Sequence, residues 1–375
     1  MFNPNYIYCI VFLFVLGLYQ LGWSELYPPL SNSILVFLLA TVVVNLFFGL
    51  VLSKLKILNI NKGSVTAKGR NILLVTLILL VVSGIDKIMG DIPTLHIVLI
   101  TFTSFYNVYV FSRFLLERKT YLFVIFLILF LSGIFLSTYR ILIFYNLITC
   151  LLTYIYIRNP FKSFKGKLII SSCALGVVFI FGYLGNNLKG DSYNSGELIL
   201  TIGEANDKFR NSVVPNEFFW TYLYASSPLA NLELNISNRN SMEPSVRGYV
   251  LWLSSEFLPD FISEKIFVNM NESQIAGLQV NDALNVSTVY LRSYRYASWL
   301  GLSIMALYIA IFPTIYLFLI RNSRFFIPGL VSILTIYMFL IFDNMFAFSA
   351  LSFQLIYPLL GLIKLNNREN GNEEG

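Results

Sequence analysis

Long apolar runs separated by short polar interruptions fill most of this chain. They fall at 6–22, 32–52, 72–89, 94–112, 121–136, 141–157 and 168–187, and then, after a long mixed stretch, at 298–320, 325–342 and 347–363. A bilayer core is crossed by roughly 20 apolar helical residues, so the pattern predicts about ten membrane-spanning helices. The tight pairs around 137–140 and 343–346 are the places where a re-entrant hairpin could replace two spans. The first run has no basic leader or small-residue cleavage site, so it reads as a retained helix rather than a signal peptide.

The polar interruptions alternate in charge. Lys54, Lys56, Lys62, Lys68 and Arg70 follow the second run, Arg113, Arg118 and Lys119 the fourth, and Arg158, Lys162, Lys165 and Lys167 the sixth. Arg321 and Arg324 follow the eighth, and Lys364 and Arg368 lie in the tail. The intervening short loops hold Glu25, Asp91 and Asp343 and almost no bases. Basic residues beside a span resist translocation, so both termini are expected in the cytoplasm. Segment 188–297 is then the one sizeable outward domain, between a bundle at 1–187 and a second at 298–363, with a cytoplasmic tail at 364–375. Two half-apolar, aromatic stretches in it, 213–232 and 246–261, are each interrupted by a proline, Pro228 and Pro259. They read as amphipathic helices on or capping the membrane bundle.

Composition agrees. The 375 residues are 57% hydrophobic and 12% charged, with a mean hydropathy of +0.71, against roughly 25% charge in a soluble chain. That excludes a cytosolic enzyme and a disordered chain. The net charge of +6 is scattered over short loops with no basic stripe, which argues against nucleic acid as a partner. Cys9, Cys150 and Cys173 all lie in apolar runs and leave no disulfide framework for the outward domain. No internal repeat is evident, which weakens an inverted-repeat transporter.

Several chemistries are absent from the sequence. There is no HExxH, GxSxG, Walker loop, dinucleotide fingerprint or DxD, and no His/Cys/carboxylate cluster for zinc. The expectation is therefore a site without metal or cofactor. The residues that break membrane rules carry the remaining signal. Arg140 sits in a short outward connection with no adjacent acid, where it either snorkels to headgroups or meets a phosphate. Asp86, Lys87, Asp91 and Asp343 are the other ionisable groups near outer helix ends, and Asp86 pairs with Lys87 or Arg140. The lone histidine, His96, lies on an apolar helix and reads as a packing residue. The outward domain supplies Arg210, Arg239, Arg247, Arg292 and Arg295, with Lys189 at its membrane exit.

Four ordered signatures then resemble a known family. They are Ser137-Thr138-Tyr139-Arg140 opening a helix, and Phe181-Gly182-Tyr183-Leu184-Gly185 followed by Lys189-Gly190. The third and most specific is the aromatic run through Trp220, Tyr222 and Tyr224 that closes in Ser227-Pro228-Leu229-Ala230-Asn231. The fourth is Asn285-Val286-Ser287-Thr288 followed by Tyr294 and Gly301. Together they resemble the Wzy-type O-antigen and capsule repeat-unit polymerases. Where that family often carries an acidic residue and a glycine, this chain has Tyr296 and Ser298, and where it favours an arginine before the large loop, this chain has Lys189.

The resemblance implies an all-α, polytopic inner-membrane bundle of the GT-C glycosyltransferase type. It implies transfer of a growing glycan from undecaprenyl diphosphate onto the non-reducing end of a new lipid-linked unit at the periplasmic face, with membrane lipids and a polysaccharide chain-length regulator as partners. Arginines would meet the leaving diphosphate: Arg140 and Arg247 first, with Arg210, Arg292, Arg295 and Lys189 behind them. Glu217, Glu256 and Asp282 are candidates for a base. Trp220, Tyr222, Tyr224 and Trp252 would stack on sugars or form an interfacial belt, with Asn231 beside them. Pro228 and Asn231 are expected to shape a turn, with Ser226 or Ser227 capping backbone groups. The Asn-x-Ser sequons at Asn235, Asn271 and Asn285 are expected to stay unmodified. An O-antigen ligase shares the loop and arginines but uses a loop histidine that this chain lacks. A lipid-linked oligosaccharide flippase and a non-catalytic scaffold are the rivals from other classes.

Overall fold

The computed structural model describes residues 2–55, 69–89, 93–136, 140–168, 170–172, 175–176, 195–241, 245–270 and 277–362. Most of the run at 168–187, most of the turn at 137–140, Asp91, Cys173, Lys189, Asn271 and the tail lie outside these. The described residues form helices and no strands. In chain order the helices are α1 Pro4–Gln20, α2 Asn32–Lys54, α3 Gly69–Met89, α4 Pro93–Glu117, α5 Thr120–Leu136 and α6 Arg140–Arg158. Then follow α7 Ser195–Ile202, α8 Asp207–Arg210, α9 Glu217–Ser237, α10 Val246–Phe257, α11 Asp260–Asn269, α12 Tyr290–Ile320, α13 Phe326–Phe339 and α14 Ser349–Leu360. Asn32–Lys54, His96–Glu117 and Tyr290–Ile320 are long and apolar enough to cross a membrane, and shorter apolar helices accompany them.

The chain divides into two compact units. The first comprises Met1–Leu58, Tyr154–Thr314 and Ile333–Ser352. Its α1 starts cleanly because the Asn3 side chain accepts the Asn5 N–H and Pro4 occupies the first turn, where no N–H is needed. Amides then tie the helices together. Asn3 Nδ2 donates to the Gly49 carbonyl at 2.7 Å, and Asn5 Nδ2 to Asn45 Oδ1 at 3.2 Å and the Ala310 carbonyl at 2.8 Å. Gly49 is required at this crossing, since a Cβ there would lie 2.4 Å from the Tyr6 ring.

These asparagines are buried while Phe14, Val43 and Phe47 on the same two helices are 63%, 65% and 61% exposed. Polar groups inside and large apolar ones outside invert the order of a water-soluble protein. This is the helical surface of a membrane protein.

The second unit comprises Asn59–Thr153, Ile315–Ser332 and Phe353–Gly375. Its core joins Ile72 and Leu79 of α3, Phe105, Tyr106 and Tyr109 of α4, Leu122 and Phe126 of α5, and Phe325 and Tyr357. Two polar contacts tie its helices: the Thr101 and Tyr357 hydroxyls meet at 2.6 Å, and Gln354 Nε2 donates to the Thr101 carbonyl at 2.9 Å. Glu117, at the end of α4, pairs with Arg113 and with Lys119, the latter at 3.0 Å.

In the first unit the aromatic run 213–232 becomes α9, but the expected turn at Pro228 does not occur. Pro228 lies inside the helix, which continues to Ser237. Side chains donate to two carbonyls in the turn before Pro228: Ser226 Oγ to that of Tyr222, and the Tyr27 hydroxyl to that of Leu223 at 3.1 Å. The stretch 246–261 becomes α10 and α11, divided at Pro259. α10 begins at Ser245, whose Oγ accepts the Gly248 N–H at 3.0 Å.

Candidate functional site

α9 makes a wall from the segment that follows it in space. Asn231 Nδ2 donates to the Leu284 and Val286 carbonyls, each at 2.7 Å, and its Oδ1 accepts the Val280 N–H at 2.8 Å. One turn on, Asn235 Nδ2 donates to the Leu278 carbonyl at 2.8 Å while its Oδ1 accepts the Leu278 N–H at 3.0 Å. Ser287 Oγ donates to the Pro228 carbonyl at 3.2 Å. Two signatures that lie far apart in sequence, Ser-Pro-x-x-Asn and Asn285 to Thr288, are thus one hydrogen-bonded structure.

Beside this wall α12 begins, and Arg292 and Arg295 are one turn apart on it, a spacing that puts both on one face. A cavity of about 200 Å³ opens there. Arg292, Arg295 and Asp343 line it, together with Ser255, Asn285 and Ser287.

Arg292 is shared between two carboxylates: NH2 donates to Asp343 Oδ2 at 3.0 Å and NH1 to Asp260 Oδ1 at 3.5 Å. Asp343 Oδ1 in turn accepts the Asn344 N–H at 2.7 Å. Asn344 Nδ2 donates to the Glu256 backbone carbonyl at 2.9 Å and to Glu256 Oε2 at 2.6 Å. The Asp260 N–H donates to the Ala347 carbonyl at 2.8 Å. The short loop around Asp343 is therefore clamped on the α10–α11 joint.

Burial and charge act against each other in this cluster. Glu256 is fully buried, and desolvation pushes its carboxyl up to about 8 despite Arg292 and the Asn344 amide. Asp260 is pushed up to about 6 for the same reason, again opposed by Arg292. At neutral pH Glu256 is thus largely protonated and the two aspartates share one guanidinium.

The other expected site residues fall elsewhere. Trp220 and Tyr222 are 4% and 2% exposed and pack in an aromatic core with Phe209 and Phe219, with Tyr224 against it. The Tyr222 hydroxyl accepts the Trp23 N–H at 3.1 Å, and the Tyr224 and Trp220 rings meet at a tilt of 58°. Trp252 is buried, donating from Nε1 to Ser293 Oγ at 3.1 Å. Faces already covered by protein have no room for a sugar, so Trp220, Tyr222 and Trp252 are packing residues, and Asn231 is a backbone clamp. Arg210 is exposed, with Nε donating to the Ala205 carbonyl at 2.9 Å, and Arg247 is exposed, with NH2 donating to the Met270 carbonyl at 2.7 Å. Neither lines the cavity, nor do Glu217 and Asp282. Arg140 opens α6, and its side chain lies outside the described residues, as does Lys189.

Sequence reasoning missed Asp260 and Asn344, and it noted Asp343 only as an acid near a helix end. Their one signal was polarity in short connections between apolar runs, Pro259-Asp260 and Asp343-Asn344. Among the described residues no three His, Cys, Asp or Glu side chains gather as a metal site. No family model, curated protein or solved structure matches this chain.

Proposed function

We propose that this protein is a membrane glycosyltransferase that polymerises lipid-linked oligosaccharide repeat units, with the cavity at the head of α12 receiving the diphosphate end of the donor. The carrying observation is the pair Arg292 and Arg295, set one turn apart at the start of a membrane-capable helix and facing a polar cavity. A diphosphate on a long prenyl chain presents its charge at that kind of boundary, and guanidinium groups match its oxygens.

In the transfer, negative charge grows on the leaving diphosphate as the anomeric carbon becomes oxocarbenium-like. Arg292 and Arg295 oppose that charge from fixed positions, and Asp260 and Asp343 hold the Arg292 fork in place. The polar wall at Asn285 and Ser287 offers hydrogen-bonding groups to the sugars. This reading keeps the segment 188–297 on the periplasmic side of a bacterial inner membrane, and the alternation of loop bases supports that side. It also keeps a chain-length regulator as a partner.

The test is reconstitution of the purified chain in liposomes with undecaprenyl-diphosphate-linked repeat units. Formation of a ladder of longer lipid-linked glycans, dependent on Arg295, is expected. Movement of the substrate across the bilayer with no new glycosidic bond would make the protein a flippase instead.

A further inference from the structure

The polymerase reading leaves open where the proton of the acceptor hydroxyl goes. Resting on that reading, we propose that Asp343 is the catalytic base. Of the carboxylates in the described residues, Asp343 is the one that lines the cavity. Glu256 and Asp260 stand behind it, turned to Asn344 and to the far nitrogen of Arg292.

Asp343 is built for position. Oδ2 is held by Arg292 at 3.0 Å and Oδ1 by the Asn344 N–H at 2.7 Å, and Asn344 is itself fixed by two bonds to Glu256. Each carboxylate oxygen keeps a second lone pair, and the side chain is 41% exposed. A hydroxyl in the cavity can reach it, and a proton can leave from it to water.

Arg292 is divided between Asp343 and Asp260, so it does not occupy Asp343 alone. The ionisable groups that face Asp343 are Arg292 and Arg295 on α12, Asp260 on α11 and Glu256 on α10.

The step balances without a co-reactant. The acceptor O–H bond breaks and its oxygen bonds to the anomeric carbon of the growing glycan. The bond from that carbon to the diphosphate oxygen breaks, its electron pair leaves with undecaprenyl diphosphate, and the proton passes to Asp343.

Steady-state kinetics of the full chain in liposomes, with the lipid-linked repeat unit as the only substrate, test this. Asp343→Asn should lower kcat at least about 100-fold with KM changed less than about threefold, and the acidic limb of the pH–rate profile should disappear. A role confined to holding Arg292 would also lower kcat, because Arg292 meets the developing charge, but would leave the acidic limb of the pH–rate profile in place, and a retained limb overturns Asp343 as the base. If Asp343→Asn fails to insert, Asp343→Glu decides: displacing the carboxylate by one methylene should lower kcat at least about tenfold at unchanged KM. An active wild type with kcat retained in Asp343→Asn, or in Asp343→Glu when only that variant inserts, overturns Asp343 as the base. A wild type that makes no polymer overturns the polymerase reading itself.

Discussion

Two polar regions of the first unit differ in how fully their hydrogen bonds close. Around Asn231 and Asn235 the amide groups are used up on backbone partners, and the neighbouring aromatics are covered. Around Arg292 three acids surround one guanidinium, Glu256 Oε1 has no hydrogen-bond partner among the described residues, and a cavity is present. A closed buried network rigidifies a fold, whereas an open one is held at a cost that only a task explains. The aromatic region, which the sequence offers as a sugar platform or an interfacial belt, is packed within the protein. On the proposed reading the chemistry lies around the cavity beside Arg292.

The sharpest test of that contrast is to remove arginines inside and outside the cavity. Arg295→Ala should lower polymerisation by about 10²–10³-fold, the effect of losing one fixed donor from a developing anion. Arg210→Ala and Arg247→Ala should stay within about threefold, since an exposed side chain bonded to one carbonyl contributes little. Ladder formation by variants that insert normally measures both. Loss of the ladder in Arg247→Ala with its retention in Arg295→Ala would reverse the assignment.

In the closed region the cost should appear as stability. Asn231→Ala strands the Leu284 and Val286 carbonyls and the Val280 N–H together. Only the Leu284 bond is fully buried and the other two are half-buried, so at about 1–3 kcal/mol for a stranded buried group a loss of about 2 kcal/mol is expected. Thermal unfolding in detergent reads it. A loss below about 1 kcal/mol would mean water replaces the amide, and the network would not be closed in the sense argued here.

How much of this the sequence carried follows from the range of the forces involved. Helix positions were legible because a span is a local property. The runs at 6–22, 121–136 and 141–157 correspond to α1, α5 and α6 to within two residues at either end. Roles of single residues were not, because burial is set by partners far along the chain. Tyr222 looks the same in sequence whether it faces a sugar or the backbone of Trp23, and Pro228 signals a turn until side chains such as Ser226 and Tyr27 are seen supplying bonds to the helix. Arg292 and Arg295 were visible as candidates, but the carboxylate partners of Arg292 come from two other segments, which no spacing rule connects.

The open region should also show itself in pH dependence. Glu256 has a folded-state value of about 8 against an unfolded value of 4.5, so the folded protein binds this proton more tightly. The associated stability is fully present below pH 4.5 and is lost as pH rises toward 8. Linkage sets the slope at up to about 1.4 kcal/mol per pH unit, or about 2 kcal/mol between pH 6 and pH 8. Glu256→Gln, which keeps an acceptor for Asn344 and never ionises, should flatten that slope and be relatively more stable than wild type at pH 8. Parallel curves for the two proteins across this range would show that Glu256 titrates normally, and the cluster would then carry one more negative charge than argued.

The smallest expected effect concerns the joint between the site and the membrane. α12 is broken at Ala297 and Ser298, and Ser298 has φ 48° and ψ −144°, a conformation comfortable only for glycine. The break brings Gly301 so close to the start of the helix that a Cβ on it would lie 2.3 Å from the Ser293 carbonyl oxygen. Ser293 also receives the Trp252 indole N–H, so the strained bend fixes the turn carrying Arg292 and Arg295 against α10. Ser298→Gly relieves the strain, worth roughly 1–3 kcal/mol, while enlarging the unfolded ensemble by up to about 1 kcal/mol. A net gain of about 1 kcal/mol is expected, read as a raised unfolding temperature with kcat unchanged. Destabilisation by Ser298→Gly would mean the serine conformation is not strained, and the bend would owe its geometry to packing around Gly301 alone.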